Sequence, residues 1–215
     1  MSLDIKICGL KTPEAVAAAL AAGASHVGFI FFGKSPRNVA PADAGLLRAA
    51  ATGRAQAVAV TVDADDALLD EISTEMQPDA FQLHGRESPQ RVAEVKARYR
   101  RPVIKAFSVS TPADLAAVSA YVGVADRLLF DAKPPKDAVL PGGNGVAFDW
   151  SVLSGLPRDV DYFLSGGLNV ANVAEALRIA GPPAIDVSSG VESAPGVKDL
   201  RLIEAFFRAV AAARG

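Results

Sequence analysis

The sequence predicts a (β/α)8 barrel, and three observations carry that expectation. Eight short β-rich runs recur along the 215 residues, with starts 22 to 35 residues apart. Most are separated by Ala-rich stretches of helical period, and strands alternating with helices at this spacing imply βαβ units and a parallel sheet. Eight evenly spaced strands exceed the five or six usual in a doubly wound sheet, and α/β barrels of this length fold as one unit. One domain spanning residues 1–215 is therefore expected.

The runs, in order, are Asp4–Cys8, Val27–Phe31, Ala57–Val62, Ala80–His84, Val103–Phe107, Arg127–Asp131, Tyr162–Ser165 and Ala184–Val187. Three helices open on a cap followed by proline at the first helical position, at Thr12-Pro13, Ser88-Pro89 and Thr111-Pro112, where a missing N–H costs nothing. Gly23 ends the first helix where a left-handed residue is needed. The Pro/Gly-rich stretch 132–145, AKPPKDAVLPGGNG, interrupts the pattern after the sixth run and reads as a lid, a binding loop or a connector. A short helical piece around Asp149–Leu153 follows it. Ser165-Gly166-Gly167 then leads into a helix expected to be capped by Asn169. The last helix carries an apolar stripe at Leu200, Ile203, Phe207 and Val210.

Composition narrows the function classes. Lys+Arg 22 against Asp+Glu 24 leaves a net charge of −2, which argues against a nucleic-acid binder. One cysteine excludes an internal disulfide framework and a multi-thiolate zinc site. Asp4 and Lys6 stand where a secretory signal would be apolar, and no apolar run approaches a membrane span of about 20 residues. A soluble, cytoplasmic protein with no membrane partner is expected. Monomer and homodimer both remain open.

In a barrel of this kind the chemistry collects at the C-terminal strand ends. The polar residues there are Cys8, His84, Asp131, Ser165, Asp186, Ser188 and Ser189, with Arg37 on the loop after the second run. Strand alternation puts Asp4, Lys6 and Cys8 on one face and Leu3, Ile5 and Ile7 on the other. The apolar set belongs under the helices, so Lys6 and Cys8 face the barrel interior. A neighbouring ammonium lowers a thiol's pKa, which would make Lys6 an activator of Cys8. A lone cysteine is also an ordinary small apolar residue. Asp131 shares a face with Leu129 and Arg127, opposite Leu128 and Phe130. A carboxyl at an apolar rim suits a general acid, while capping the next loop or pairing with Arg127 would explain it equally well.

Two glycine turns, at Gly166-Gly167 and at Ser188-Ser189-Gly190, follow the last two runs. Backbone N–H groups in such turns form an anion site without a lysine, and phosphate sites after strands seven and eight recur in this fold. A metal centre is not expected. The chain has two histidines, of which His26 precedes the second run at the opposite end and His84 reads as a pocket-lining or core residue.

The segments KICGL (6–10), SPR (35–37), QLHG (82–85), LLFD (128–131), FDW (148–150), LSGGL (164–168) and DVSSGVE (186–192) together resemble the phosphoribosylanthranilate isomerases, in the family's order and over nearly the whole chain. The resemblance implies a cofactor-free Amadori rearrangement in tryptophan biosynthesis. It would convert N-(5′-phosphoribosyl)anthranilate to 1-(2-carboxyphenylamino)-1-deoxyribulose 5-phosphate. By motif, Cys8 is similar to the general base, Asp131 to the general acid and Arg37 to the partner of the anthranilate carboxylate. Asp186 and His84 would contact the substrate, and Gly166, Gly167, Ser188, Ser189 and Gly190 its phosphate. Asn144 departs from the family, which more often has Thr or Ser there. Competing readings are another aldose–ketose sugar-phosphate isomerase and a non-catalytic sugar-phosphate-binding barrel. The related aminoaldose isomerase of histidine biosynthesis carries a carboxylate where Cys8 stands, and a pentose-phosphate epimerase needs metal-ligating histidines.

Overall fold

The computed structural model describes residues 3–134, 142, 143, 145, 147–157 and 160–215. Eight parallel strands close on themselves in sequence order: β1 (Asp4–Cys8), β2 (His26–Phe31), β3 (Gln56–Thr61), β4 (Ala80–Leu83), β5 (Val103–Val109), β6 (Arg127–Ala132), β7 (Tyr162–Leu164) and β8 (Ala184–Val187). Closure is made by β1 against β8, with Asp4 opposite Ala184 and Lys6 opposite Asp186. The helices α1 (Pro13–Ala22), α2 (Pro41–Ala49), α3 (Asp66–Glu75) and α4 (Pro89–Tyr99) follow the first four strands. Tighter 3-10 helices over Pro112–Tyr121 and Trp150–Gly155 follow β5 and β6, and α5 (Val173–Ala180) follows β7. After β8 come a 3-10 turn (Ser189–Val191), a short hairpin of β9 (Glu192–Ala194) and β10 (Val197–Lys198), and α6 (Leu200–Arg214). The expected runs match the strands to within two residues at each end.

Strand alternation sorts the side chains into two layers, as the pattern requires. Ile5, Ile7, Leu128 and Phe130 pack outward beneath the helices. Cys8, Val58, Val60, Ile104, Leu129 and Phe163 fill the barrel interior. Arg127 closes the N-terminal end. Its guanidinium lies 4.4 Å from the centre of the Phe163 ring and pairs with Asp4 at 2.9 Å and Asp161 at 2.8 Å. His26 packs edge-on against the same ring at 5.1 Å. Burial lowers its pKa from 6.5 to about 4, with Arg127 and Lys6 adding to the shift and Asp4 opposing it.

The caps behave as their chemistry dictates. Thr12 Oγ1 accepts from the Ala15 N–H at 3.2 Å and Ser88 Oγ from the Arg91 N–H at 3.2 Å. Gly23, at φ 99°, ends α1.

Asn169 caps the turn that leads into α5: its Oδ1 accepts from the Ala171 N–H at 2.8 Å, and its own N–H donates to Asn172 Oδ1 at 2.8 Å. Both Asn169 and Asn172 donate their side-chain amides to the Gly167 carbonyl, at 3.2 and 2.9 Å. One local expectation is corrected. On α6 the buried stripe is Ile203, Phe206 and Val210, with Leu200 40% exposed at the first turn and Phe207 half-buried. A period of 3.6 accommodates either phenylalanine, and packing against α1 and α5 selects Phe206. Of the expected 132–145 loop, residues 135–141 and Asn144 lie outside the described residues. No helix among the described residues is long and apolar enough to cross a membrane.

Candidate active site

The C-terminal ends of the strands surround one cavity. Of the residues singled out from the sequence, Cys8, Arg37, His84, Asp131, Gly166, Gly167, Asp186, Ser188 and Ser189 all line it. Gly190 does not. It packs closely behind the turn, where an added Cβ would overlap the Leu168 carbonyl oxygen.

One wall is built on β1. Lys6 is fully buried, and its Nζ lies 2.9 Å from Asp186 Oδ1 on β8. Asp186 Oδ2 accepts from Ser165 Oγ at 3.3 Å. Burial pulls Lys6 down, but Asp186 and Cys8 outweigh it and hold the ammonium above its usual range. Gly28 on β2 makes room for this pair, since a Cβ there would stand 3.1 Å from both Cys8 Sγ and Lys6 Cε. The expected lowering of the Cys8 pKa is not realised. Burial pushes the thiol up, Lys6 and Lys198 only partly oppose it, and Asp186 adds to the rise. The reason is that burial outweighs the neighbouring ammonium, part of whose effect is offset by Asp186 beside it.

The facing wall carries Asp131 at the end of β6. Pairing with Arg127 is ruled out, because that guanidinium is held at the opposite end of the barrel. His84 Nε2 stands 3.3 Å from Asp131 Oδ2, close enough for charge interaction but not aligned as a hydrogen bond. Gln82 Nε2 is 2.9 Å from His84 Nδ1. With the amide donating, the ring carries its hydrogen on Nε2, toward Asp131. The loop beyond His84 is tied by buried Glu87, which accepts from the N–H groups of Asp63 and Gly85 at 3.0 Å and pairs with Lys105 at 2.9 Å. Gly142 rests on both Asp131 and His84. A Cβ there would overlap Asp131 Oδ2 and stand 2.8 Å from His84 Nε2.

Arg37 enters the cavity from the loop after β2, and its fork is already engaged. Nε donates to Glu192 Oε1 at 2.8 Å and Nη2 to Glu192 Oε2 at 2.9 Å. Nη2 also donates to the Gly143 carbonyl at 3.3 Å. Only Nη1 is left without an acceptor among the described residues, and the guanidinium's two-bond grip is made on Glu192. Burial pushes the Glu192 carboxyl up, but Arg37 and Lys198 outweigh it and hold it below the usual range.

The two glycine turns meet at the third side of the cavity. Gly166 and Gly167 both have left-handed backbones, at φ 84° and 65°. An added Cβ at Gly166 would overlap the Ala132 amide nitrogen. No described residue accepts from the Gly166 or Gly167 N–H, which leaves both donors for an anion. Ser188 Oγ donates to the Cys8 carbonyl at 3.0 Å, joining this turn to the β1 wall.

Glu192, Lys198 and Gln82 took no role from the sequence. Gln82 and Glu192 fall inside the quoted QLHG and DVSSGVE segments, which is the one signal that marked them. No group of three or more His, Cys, Asp or Glu side chains among the described residues is arranged to hold a metal ion.

Known proteins share this barrel and its sequence. Residues 5–209 match the family model described as N-(5′-phosphoribosyl)anthranilate (PRA) isomerase. The N-(5′-phosphoribosyl)anthranilate isomerase of Mesorhizobium japonicum is 70% identical over 214 residues, covering 100% of this chain and 98% of the relative. The solved phosphoribosyl anthranilate isomerase of Thermotoga maritima superposes with a TM-score of 0.88 at 33% identity, covering 98% of this chain and 100% of that one. A solved phosphoribosyl anthranilate isomerase in complex with reduced 1-(o-carboxyphenylamino)-1-deoxyribulose 5-phosphate superposes at 0.85 and 31% identity, with coverage of 98% and 100%. A family match over nearly the whole length, on a closed barrel whose mouth holds the motif residues, leads to one conclusion: the chain belongs to the N-(5′-phosphoribosyl)anthranilate isomerase family.

Proposed function

We propose that this barrel mouth isomerises N-(5′-phosphoribosyl)anthranilate to 1-(2-carboxyphenylamino)-1-deoxyribulose 5-phosphate with Asp131 as general acid and Cys8 as general base. The activity is that of an aldose–ketose isomerase of tryptophan biosynthesis. The observation that supports the assignment of roles is that Asp131, Cys8, Arg37 and the Gly166–Gly167 and Ser188–Ser189 turns line one cavity.

Asp131 donates a proton to the ribose ring oxygen as the C1–O bond breaks. The anthranilate nitrogen lone pair forms a C1=N double bond, giving a cationic Schiff base. Cys8 thiolate then removes the C2 proton, and that electron pair forms C1=C2 while the C1=N pair returns to nitrogen. C1 then takes a proton while the C2 hydroxyl gives one up, which converts the enolamine to the C2 ketone. The sequence is an isomerisation that balances without oxidant, reductant or cofactor. An acid and a base each contribute about 10²–10⁴-fold. Burial raises the thiol in the free enzyme, whereas the cationic Schiff base acidifies the C2 proton and, as a positive charge near the sulfur, favours the thiolate that removes it.

Arg37 Nη1 meets the anthranilate carboxylate, and Asp186 and His84 contact the sugar. The phosphate sits on the N–H groups of the two turns. Holding both ends orients the reacting carbons between the walls. The protein acts in the cytoplasm on this phosphorylated small molecule. The test is rescue of a tryptophan auxotroph lacking this step, together with direct measurement of product. Rescue by the wild type and failure of both Cys8→Ser and Asp131→Asn is the expected result.

A further inference from the structure

The phosphate end of the cavity has no cationic side chain of its own among the described residues. Of the cavity-lining cations, Arg37 is bound to Glu192, and Lys133 is half exposed and paired with Asp114 at 2.9 Å. Lys198 on β10 does not line the cavity, yet it is buried, with its side chain 2% exposed. Its Nζ donates to the Ser188 carbonyl at 2.9 Å, to Ser188 Oγ at 3.3 Å and to Glu192 Oε1 at 2.7 Å. The carbonyl and N–H of one trans peptide point in opposite directions, and no cis peptide bond occurs among the described residues. A Ser188 carbonyl drawn to Lys198 therefore turns the Ser189 N–H away from it, and Ser188 and Ser189 are the residues of this turn that line the cavity.

We propose that Lys198 is the positioning cation of the phosphate subsite, holding the Ser188–Ser189 peptide with its carbonyl on the ammonium and its N–H on the phosphate. This rests on the reading that phosphate binds at the two turns. The ammonium acts at one remove: it polarises the peptide and strengthens the N–H as a donor, since hydrogen bonds assisted by charge are the stronger ones. Because Lys198 stays behind the peptide, the phosphate gains positive potential without a flexible side chain crossing the cavity. Glu192 then links the two ends of the site, through Arg37 at the carboxylate end and through Lys198 at the phosphate end.

The test uses inorganic phosphate and anthranilate as separate competitive inhibitors. Lys198→Met removes the charge and donors while keeping the length of the side chain. Inhibition by phosphate should weaken about tenfold, as for loss of one charge-assisted hydrogen bond, and inhibition by anthranilate should change by no more than about twofold. KM should rise more than kcat falls. Phosphate and anthranilate inhibition weakened equally, or both left unchanged, would overturn the proposal and reduce Lys198 to a counter-ion of Glu192. If the Met variant does not fold, Lys198→Gln, which removes the charge and keeps a polar head group, is read by the same criteria. Gly167→Asp separates the two layers of the reading, because it places a carboxylate in the subsite itself. Phosphate inhibition lost in Gly167→Asp but intact in the Lys198 variants rejects the lysine's role alone. Phosphate inhibition intact in Gly167→Asp rejects the subsite, and the lysine's role with it.

Discussion

Arg37 and Glu192, 155 residues apart in the chain, form a buried two-bond pair in the wall of the cavity, at 2.8 and 2.9 Å. The pair fixes the guanidinium plane and leaves Nη1 without an acceptor among the described residues. Arg37→Lys keeps the charge and loses that plane. We expect kcat/KM to fall by about 1.5–3 kcal/mol, the range for hydrogen bonds to charged groups. Steady-state kinetics checks this, and full activity would remove Arg37 from the site. Glu192→Ala should cost about 3–5 kcal/mol of stability, because it strands buried positive charge, and denaturant unfolding measures it.

Cys8→Ser should reduce turnover by orders of magnitude while Tm barely moves, since the hydroxyl is nearly isosteric and too weakly acidic to act as a base. Near-normal turnover would shift the search for the base to Asp186. Cys8 is the sole cysteine, so the difference in ultraviolet absorbance between wild type and Cys8→Ser reports its thiolate alone. A thiol pushed above its ordinary range by burial should show no thiolate at neutral pH in the free enzyme. A thiolate signal at pH 7 would contradict the burial argument.

Asp131→Asn preserves size and hydrogen bonding but cannot give a proton to the ring oxygen. Its kcat should fall by about 10²–10⁴-fold with KM changed much less. Wild-type activity would reduce Asp131 to a cap on the Ala132 N–H, which its Oδ1 accepts at 2.8 Å. A loss confined to KM would make it a substrate-positioning residue.

His26 links stability to acid. Its pKa is about 4 folded against 6.5 in the unfolded chain, so the unfolded state binds the proton more tightly. The contribution is fully present above pH 6.5 and is lost as pH falls from there through about 4. The loss should total on the order of 3 kcal/mol. Unfolding free energies across that window should slope downward in wild type and flatten in His26→Gln. An equal slope in the variant would place the acid sensitivity elsewhere.

Much of the barrel was legible because its signals are local. Alternation along Asp4–Cys8 and Arg127–Asp131 depends only on the pleat, and Thr12-Pro13 and Ser88-Pro89 announce helix starts through their own backbone chemistry. Where two local solutions compete, the sequence is silent. Phe206 and Phe207 satisfy the same helical period, and the neighbours of α6 made that choice.

The sequence by itself determined eight strands, the faces of the polar residues on the first and sixth, and the set of strand-end residues that line the cavity. Only the tertiary structure decided how those residues are paired. Lys6 meets Asp186 across 180 residues, Arg37 meets Glu192 across 155, and His84 stands beside Asp131 from another strand. It also reversed the expected direction for Cys8, whose pKa follows from burial and from the matching of Lys6 by Asp186 rather than from Lys6 alone. The physical reason is that periodicity records which way a side chain points relative to its own backbone. Partner, desolvation and net charge depend on which strands closure of the barrel brings together.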